Sequence, residues 1–202
     1  MIETKTVELE KGVIHAEEVI DFTDVNDSRW AGIITLPAFR RLPLDPATRN
    51  DFYILQGDLI ENLCLTHTTG TFLSRGINTS LSAGPQGAKL FRYLDRSDIC
   101  NDHTTVTPDQ LNWYKGGAFG MQVAPLSDKT HELMLVSWIR GTQMPFHRHS
   151  RGEEIFVLTG ELQDQRGRYP AGTWQRLHPT AGHAPFVETE TLILLRNGHL
   201  CA

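Results

Sequence analysis

Gly141-Thr-Gln-Met-Pro-Phe-His147-Arg-His149-Ser-Arg-Gly-Glu153-Glu154-Ile-Phe-Val-Leu-Thr-Gly160 places two imidazoles and a carboxylate within one short interval. The flanking runs Leu133 to Ile139 and Ile155 to Leu158 are apolar, rich in β-branched and aromatic residues, and bounded by glycine, which predicts strands. Residues two apart on a strand share a face, so His147 and His149 present both rings to one side. Ser150-Arg151-Gly152 is long enough for a turn, and a hairpin there returns Glu153 beside them. Some thirty residues on, Pro179-Thr-Ala-Gly182-His183-Ala-Pro185 reads as a second turn carrying one more imidazole. Three nitrogens and one oxygen result.

The spacing Gly, five residues, His-x-His, three residues, Glu, six residues, Gly resembles the first cupin motif, and Gly172, Pro179, Gly182 and His183 resemble the second, without its usual Asn. Within the cupins the sequence is similar to the ChrR-like group, the cupin of an anti-sigma factor. His-x-His-x-x-Gly-Glu-Glu-x-x-Val-Leu-x-Gly and Gly-x-x-x-x-Gly-x-x-x-x-x-x-Pro carry that likeness. The resemblance implies a β-barrel holding one divalent ion on His147, His149, Glu153 and His183.

A chain of 202 residues with 40% hydrophobic content is long enough for one large or two small domains. The net charge of −5 and the scattered Lys and Arg argue against nucleic acid or an anionic membrane as partner. No run approaches the roughly eighteen apolar residues of a membrane span, and the start Met1-Ile-Glu-Thr-Lys-Thr lacks a signal-peptide pattern, so the expected location is the cytoplasm. Cys64, Cys100 and Cys201 have no Cys-x-x-Cys spacing and read as free thiols. Asn26 and Asn78 open chance glycosylation sequons.

Residues 1 to 35 mix short apolar pieces with acids and read as a lead-in strand or two. Beyond them lies a repeat. Phe52-Tyr-Ile-Leu-Gln-Gly57-Asp-Leu59 matches Ile155-Phe-Val-Leu-Thr-Gly160-Glu-Leu162 in character at every position, and Gly70-Thr-Phe72 matches Gly172-Thr-Trp174, at an offset of about a hundred residues. The fold expected is therefore all-β, two cupin (double-stranded β-helix or jelly-roll) barrels in one chain, with domains 1–108 and 109–202. The join is expected between Leu94 and Pro108, with Trp113 to Gly120 opening the second unit.

The first copy departs from the motif where the chemistry sits: Leu36 to Leu44 stands at His-x-His, Asn50 at Glu153, and Ser80-Leu81 near His183. It is expected to hold no metal. Strands apolar on both parities need cover on both faces, which the first barrel or a second subunit of a homodimer would supply.

Three imidazoles and a carboxylate suit Zn, Fe, Mn, Ni or Co without choosing among them; Zn is the first expectation, and binding should weaken as pH falls through the histidine range. Glu154, of opposite parity to Glu153, reads as solvated or packing, and His178 as a surface residue. His15, His67, His103, His131 and His199 lie outside the frame and read as structural or exposed. Gln143 and Arg176 are candidate ligand contacts, whereas Trp138, Phe146, Trp174 and Phe186 read as core before pocket. No phosphate loop, Gly-x-Ser-x-Gly elbow or His-Glu-x-x-His occurs.

Two functions follow. The first is a sensory or regulatory metal-binding bicupin with a protein partner, although the His-x-x-x-Cys-x-x-Cys zinc signature of the anti-sigma domain is missing. The second is a mononuclear metal-dependent oxygenase, similar to quercetinase-like or diketone-cleaving cupins, acting on a small organic chelate.

Overall fold

The computed structural model describes residues 1–9, 12–44, 48–76, 79–96, 103–127 and 133–200. Apart from one 3-10 turn, Pro108–Gln110, its regular elements are strands, so the all-β expectation holds. Among the described residues no helix is long and apolar enough to cross a membrane. The chain divides into two compact units, Met1–Glu10 with Leu111–Ala202, and Lys11–Gln110.

The first unit is built on a seven-stranded sheet in the order Ile2–Thr6, Thr173–Leu177, Glu153–Thr159, Thr191–Asn197, Leu133–Trp138, Met121–Pro125, Tyr114–Lys115. Its pairing does not close on itself among the described residues. The central strands are buried on both parities, as their unbroken apolar runs require. Ile155, Val157, Leu177 and Ile193 form one core cluster with Trp138 and Leu162. Phe156, Trp174 and Leu194, of the other parity, are equally buried. Each such side chain contributes about 1.5–3 kcal/mol relative to exposure.

The first ten residues do not belong with the stretch that follows them, which corrects the expected 1–108 division. Ile2–Thr6 pairs antiparallel with Thr173–Leu177, so that Leu177 lies between Ile2 on one side and Glu153 on the other. A five-residue strand gains a full ladder there.

The Lys11–Gln110 unit carries an eight-stranded sheet in which Glu18–Asp21, Arg29–Leu36, Leu81–Asp95, Arg49–Glu61, Phe72–Arg75 and Thr104–Val106 follow one another. Arg41–Leu42 adds to Leu81–Asp95, and Leu65–Thr68 to Arg49–Glu61. Thr104–Val106, placed in the expected join, and the 3-10 turn, whose Asp109 and Gln110 were expected to open the second domain, thus belong to this unit. Residues 97–102 of that stretch, with Cys100, Cys201, His131 and Asn78, fall outside the described residues; Cys64 is free and exposed.

The internal repeat reaches down to the backbone irregularities. Arg49–Glu61 shifts register against its partner between Ile54 and Gln56, and Glu153–Thr159 shifts between Val157 and Thr159, the same place in the repeat. Just beyond each shift stands a glycine with left-handed φ, 72° at Gly57 and 75° at Gly160. A Cβ on Gly57 would lie 2.1 Å from the Gly87 carbonyl oxygen, and one on Gly160 2.2 Å from that of Glu190. Only glycine meets both demands.

Candidate metal centre

His147–Arg148 forms a short ladder with Gly182–His183, which places His147 directly opposite His183. Opposed residues of an antiparallel pair have Cβ atoms about 4.5–5.5 Å apart, so neither side chain needs a long reach. The two ring centroids lie 4.7 Å apart. His149, two positions on, shares their side, and its N–H donates to the Ala181 carbonyl at 3.2 Å. The tight turn after it, closed by the Gly152 N–H on the His149 carbonyl at 3.3 Å, delivers Glu153 to the start of the next strand.

The distances among the donors are those of one coordination shell. One ligand nitrogen from each of His147, His149 and His183 lies within 4.8 Å of the others. His149 Nε2 is 3.3 Å from His183 Nε2, Glu153 Oε2 is 3.4 Å from His149 Nε2, and Glu153 Oε1 is 3.4 Å from His183 Nε2. Donors bound tetrahedrally at about 2.0–2.1 Å sit about 3.3–3.4 Å from one another. His147 Nδ1 faces the Pro145 carbonyl at 2.9 Å, leaving Nε2 for the centre, and Asn197 hydrogen-bonds the His149 ring. Below the turn, Arg166 donates to the Gly182 carbonyl at 2.7 Å and is held by Asp164, which also accepts from the Tyr169 hydroxyl at 2.9 Å.

The electrostatics fit a divalent ion. Burial pushes the Glu153 carboxyl up to about 8, and its Oε1 is buried without a hydrogen-bond partner. Burial first, and the neighbouring His147 and His149 next, drive the His183 imidazole down to about 3. Burial, then His147, lowers His149. Two imidazoles kept neutral and a carboxyl with an unused acceptor supply lone pairs that a cation would accept.

A cavity of about 220 Å³ opens beside the quartet. Its wall is aliphatic and thioether: Met121, Met134, Met144, Val136, Ile193 and Leu195 all contribute, so that every methionine after Met1 lines it. Trp138 lines it as well, but Phe146 is exposed and stacks on Arg148, and neither Trp174 nor Phe186 reaches it.

Gln143 and Arg176, expected as ligand contacts, are not there. Gln143 is exposed and bridges to Phe186, and Arg176 has the parity of Glu154 and not of Glu153, so it points away. Glu154 is wholly buried, so of its two readings, solvated or packing, the packing one holds. It accepts from Arg176 Nε at 2.6 Å and lies 2.9 Å from His199 Nε2. Burial raises its carboxyl, but His199, Arg176 and Arg196 more than reverse this, and the net shift is downward. His199 and His67 are buried structural partners of Glu154 and Glu61, and His178 is a half-buried partner of Glu3 at 2.5 Å. His15 and His103 are exposed. Asn197, directly opposite Glu153 on the neighbouring strand, went unnoticed in the sequence, though its parity with Ile193 and Leu195 marks it as inward-facing.

A family model described as the ChrR cupin-like domain matches residues 101–201. No curated protein matches the chain significantly. Among solved structures, a cupin 2 conserved barrel domain protein from Leptotrichia buccalis superposes with a TM-score of 0.66 at 15% identity, covering 94% of this chain and 92% of its own. A variant of the Bacillus subtilis oxalate decarboxylase gives 0.67 at 11%, covering 98% and 78%. A protein described as a candidate dioxygenase from Nostoc punctiforme gives 0.72 at 11%, covering 98% and 79%. Identities this low carry the fold alone.

Proposed function

The chain belongs to the ChrR cupin-like family, and from that premise we propose a metal-dependent site, in one of two cupin-type units, that binds a small organic molecule at a divalent ion. His147, His149, Glu153 and His183 would hold the ion. The observation that carries the reading is the apolar cavity that opens beside those four side chains. A purely structural ion needs no such space. The second unit follows from the repeated register and would carry no ion, because Leu42 and Leu81 occupy the ladder positions of His147 and His183 while Asn50 takes that of Glu153.

When bound, Fe, Mn, Ni or Co would supply Lewis acidity and one or two further coordination positions beside the four protein ligands. The chain's own residues do the rest. The thioether and aliphatic wall excludes water and takes the body of an oxygen-chelating molecule, while Met121, Met134 and Met144 adapt to its shape. Glu153, which lies against both His149 and His183, can accept a proton from the bound molecule at Oε1. The reaction class is a mononuclear oxygenase-type transformation.

A second reading has an observation of its own. The 3.3–3.4 Å separations are tetrahedral edges, and a zinc ion saturated by four protein ligands would serve a cytoplasmic sensory or regulatory role with a protein partner or a second copy of the chain. Elemental analysis and X-ray absorption on protein purified without added metal separate the two. A five- or six-coordinate redox metal supports the enzyme. A water-free, four-coordinate zinc sinks it.

A further inference from the structure

The rings of His147 and His149 are each fixed by a hydrogen bond from outside the quartet, His147 Nδ1 at the Pro145 carbonyl at 2.9 Å and His149 at the Asn197 side chain. Among the described residues the His183 ring has no such bond, and its nitrogen contacts are with His149 and Glu153. His183 must then be placed by its backbone. Its strand, Gly182–His183, is two residues long and pairs with another of two residues, so that ladder alone fixes little. A second element takes hold of the segment.

The hairpin of Glu161–Asp164 and Gly167–Pro170 turns through two residues, Gln165 and Arg166, since Asp164 stands opposite Gly167. Asp164 builds that turn. Its Oδ1 accepts the N–H groups of Arg166 at 2.7 Å and Gly167 at 3.3 Å and the Tyr169 hydroxyl at 2.9 Å, and its Oδ2 accepts from Arg166 Nη1 at 3.1 Å. With the turn fixed, its two central side chains reach the backbone on either side of His183. Arg166 Nη2 donates to the Gly182 carbonyl at 2.7 Å, and Gln165 Oε1 accepts the Ala184 N–H at 3.0 Å. Further along, the Gln163 N–H donates to the Phe186 carbonyl at 2.9 Å and the Gln163 carbonyl accepts the Phe186 N–H at 2.8 Å. A Cβ on Gly182 would lie 2.6 Å from the His147 carbonyl oxygen, so the segment is already pressed close to the strand that carries His147.

We propose that Gln165 and Arg166 are positioning residues for His183: the tip of the hairpin grips the peptide groups before and after it and so sets how long an ion is kept. The inference rests on the reading of the quartet as a metal site. Groups that hold an ion must stay within about 0.5 Å of the productive geometry. Both gripping side chains are exposed, so their hydrogen bonds add little to folding. Their effect shows when the ion leaves. An ion departs from its ligands one at a time, and the ring that no outside hydrogen bond restrains goes first.

The test uses the full chain, freed of metal with a chelator and reloaded with Co²⁺, whose visible absorption reports its coordination. Release into excess chelator is timed at constant pH. Gln165→Met and Arg166→Met each remove one grip and keep a side chain of similar length. Each is expected to release Co²⁺ roughly threefold faster, and the two together roughly tenfold. Arg166→Lys, which retains a donor, should recover most of the loss. Arg168→Met removes a guanidinium of the same hairpin that pairs with Glu161 and Glu188, and should release at the unsubstituted rate. Loss of a nearby cation by itself favours keeping a divalent ion, so charge cannot account for faster release. Thermal midpoints of the metal-free chains should hardly move. Co²⁺ that binds the unsubstituted chain and leaves the double variant at the same rate overturns the grip and spares the metal site. Acceleration shared by Arg168→Met, or matched by a falling metal-free midpoint, does the same. No Co²⁺ bound by the unsubstituted chain overturns both. Should the double variant fail to fold, the single variants decide.

Discussion

Leu42 stands directly opposite Leu81 in a short antiparallel ladder of the Lys11–Gln110 unit, the pairing that His147 makes with His183 in the other unit. The same backbone device closes an apolar core in one case and a cluster of donors in the other. Leu81→Ala should therefore cost about 2–5 kcal/mol in chemical denaturation and leave metal content unchanged. His183→Ala should do the reverse, taking bound metal from about one ion per chain toward zero with little change in metal-free stability. Metal loss in Leu81→Ala alone would break the assignment of roles.

The pH dependence of metal binding should turn on Glu153 more than on His149 or His183. In the metal-free protein its carboxyl titrates near 8, whereas His183 sits near 3 and is already neutral at pH 7. Binding at pH 7 must then release about one proton from Glu153, and affinity should climb with pH until about 8 and flatten above. Calorimetry in buffers of different ionisation enthalpy counts the proton; Glu153→Gln should remove it.

Glu154 holds up the strand behind the ligands without touching the site. Replacing it with Gln leaves Arg176 buried without its carboxylate, and a loss of about 3–5 kcal/mol in unfolding free energy is expected. Glu154→Leu with Arg176→Met should recover most of that. Metal affinity, measured by competition with a chelator, should stay within a few-fold in both.

The acid stability of the protein should depend on Glu61. Burial raises its carboxyl, but hydrogen bonds from Arg75 at 2.7 Å and His67 at 2.7 Å outweigh this and hold it below the ordinary range. A depressed folded-state value means that the contribution is complete above the ordinary carboxylate range and is lost as pH falls through the lowered value. Glu61→Gln should be less stable at neutral pH and should show a flatter decline into acid, read from denaturation midpoints at successive pH values.

Deleting residues 1–8 should lower the thermal midpoint of the unit that carries the candidate metal centre and weaken metal binding there. Ile2–Thr6 covers the edge of Thr173–Leu177, and Leu177 in turn flanks Glu153. A truncated chain with an unchanged midpoint would deny the strand this role.

The convergence of His147, His149 and Glu153 was legible because they flank one turn, where spacing and parity translate directly into a shared face, and His183 because a turn signature marks its segment. The repeat was legible for a similar reason, since Gly57 and Gly160 punctuate matching apolar runs. What escaped came from distant segments. Glu154 could be read as solvated or packing but not as one half of an ion pair, because its partners Arg176 and His199 lie far along the chain and nothing local announces a buried ion pair. Arg176 was misassigned by one residue of parity. The first strand escaped for the same reason, since nothing in Met1 to Thr6 names Thr173 to Leu177 as its complement.

That ladder joins Ile2–Thr6 to a partner that is synthesised only after the whole Lys11–Gln110 unit. A chain emerging from the ribosome can complete the Lys11–Gln110 unit while the opening segment waits, unmatched, for Thr173–Leu177 to appear. Maturation of the half that carries the candidate metal centre therefore follows that of the Lys11–Gln110 unit, and a slow stretch of synthesis before Thr173 would lengthen the interval in which Ile2–Thr6 is open to mispairing.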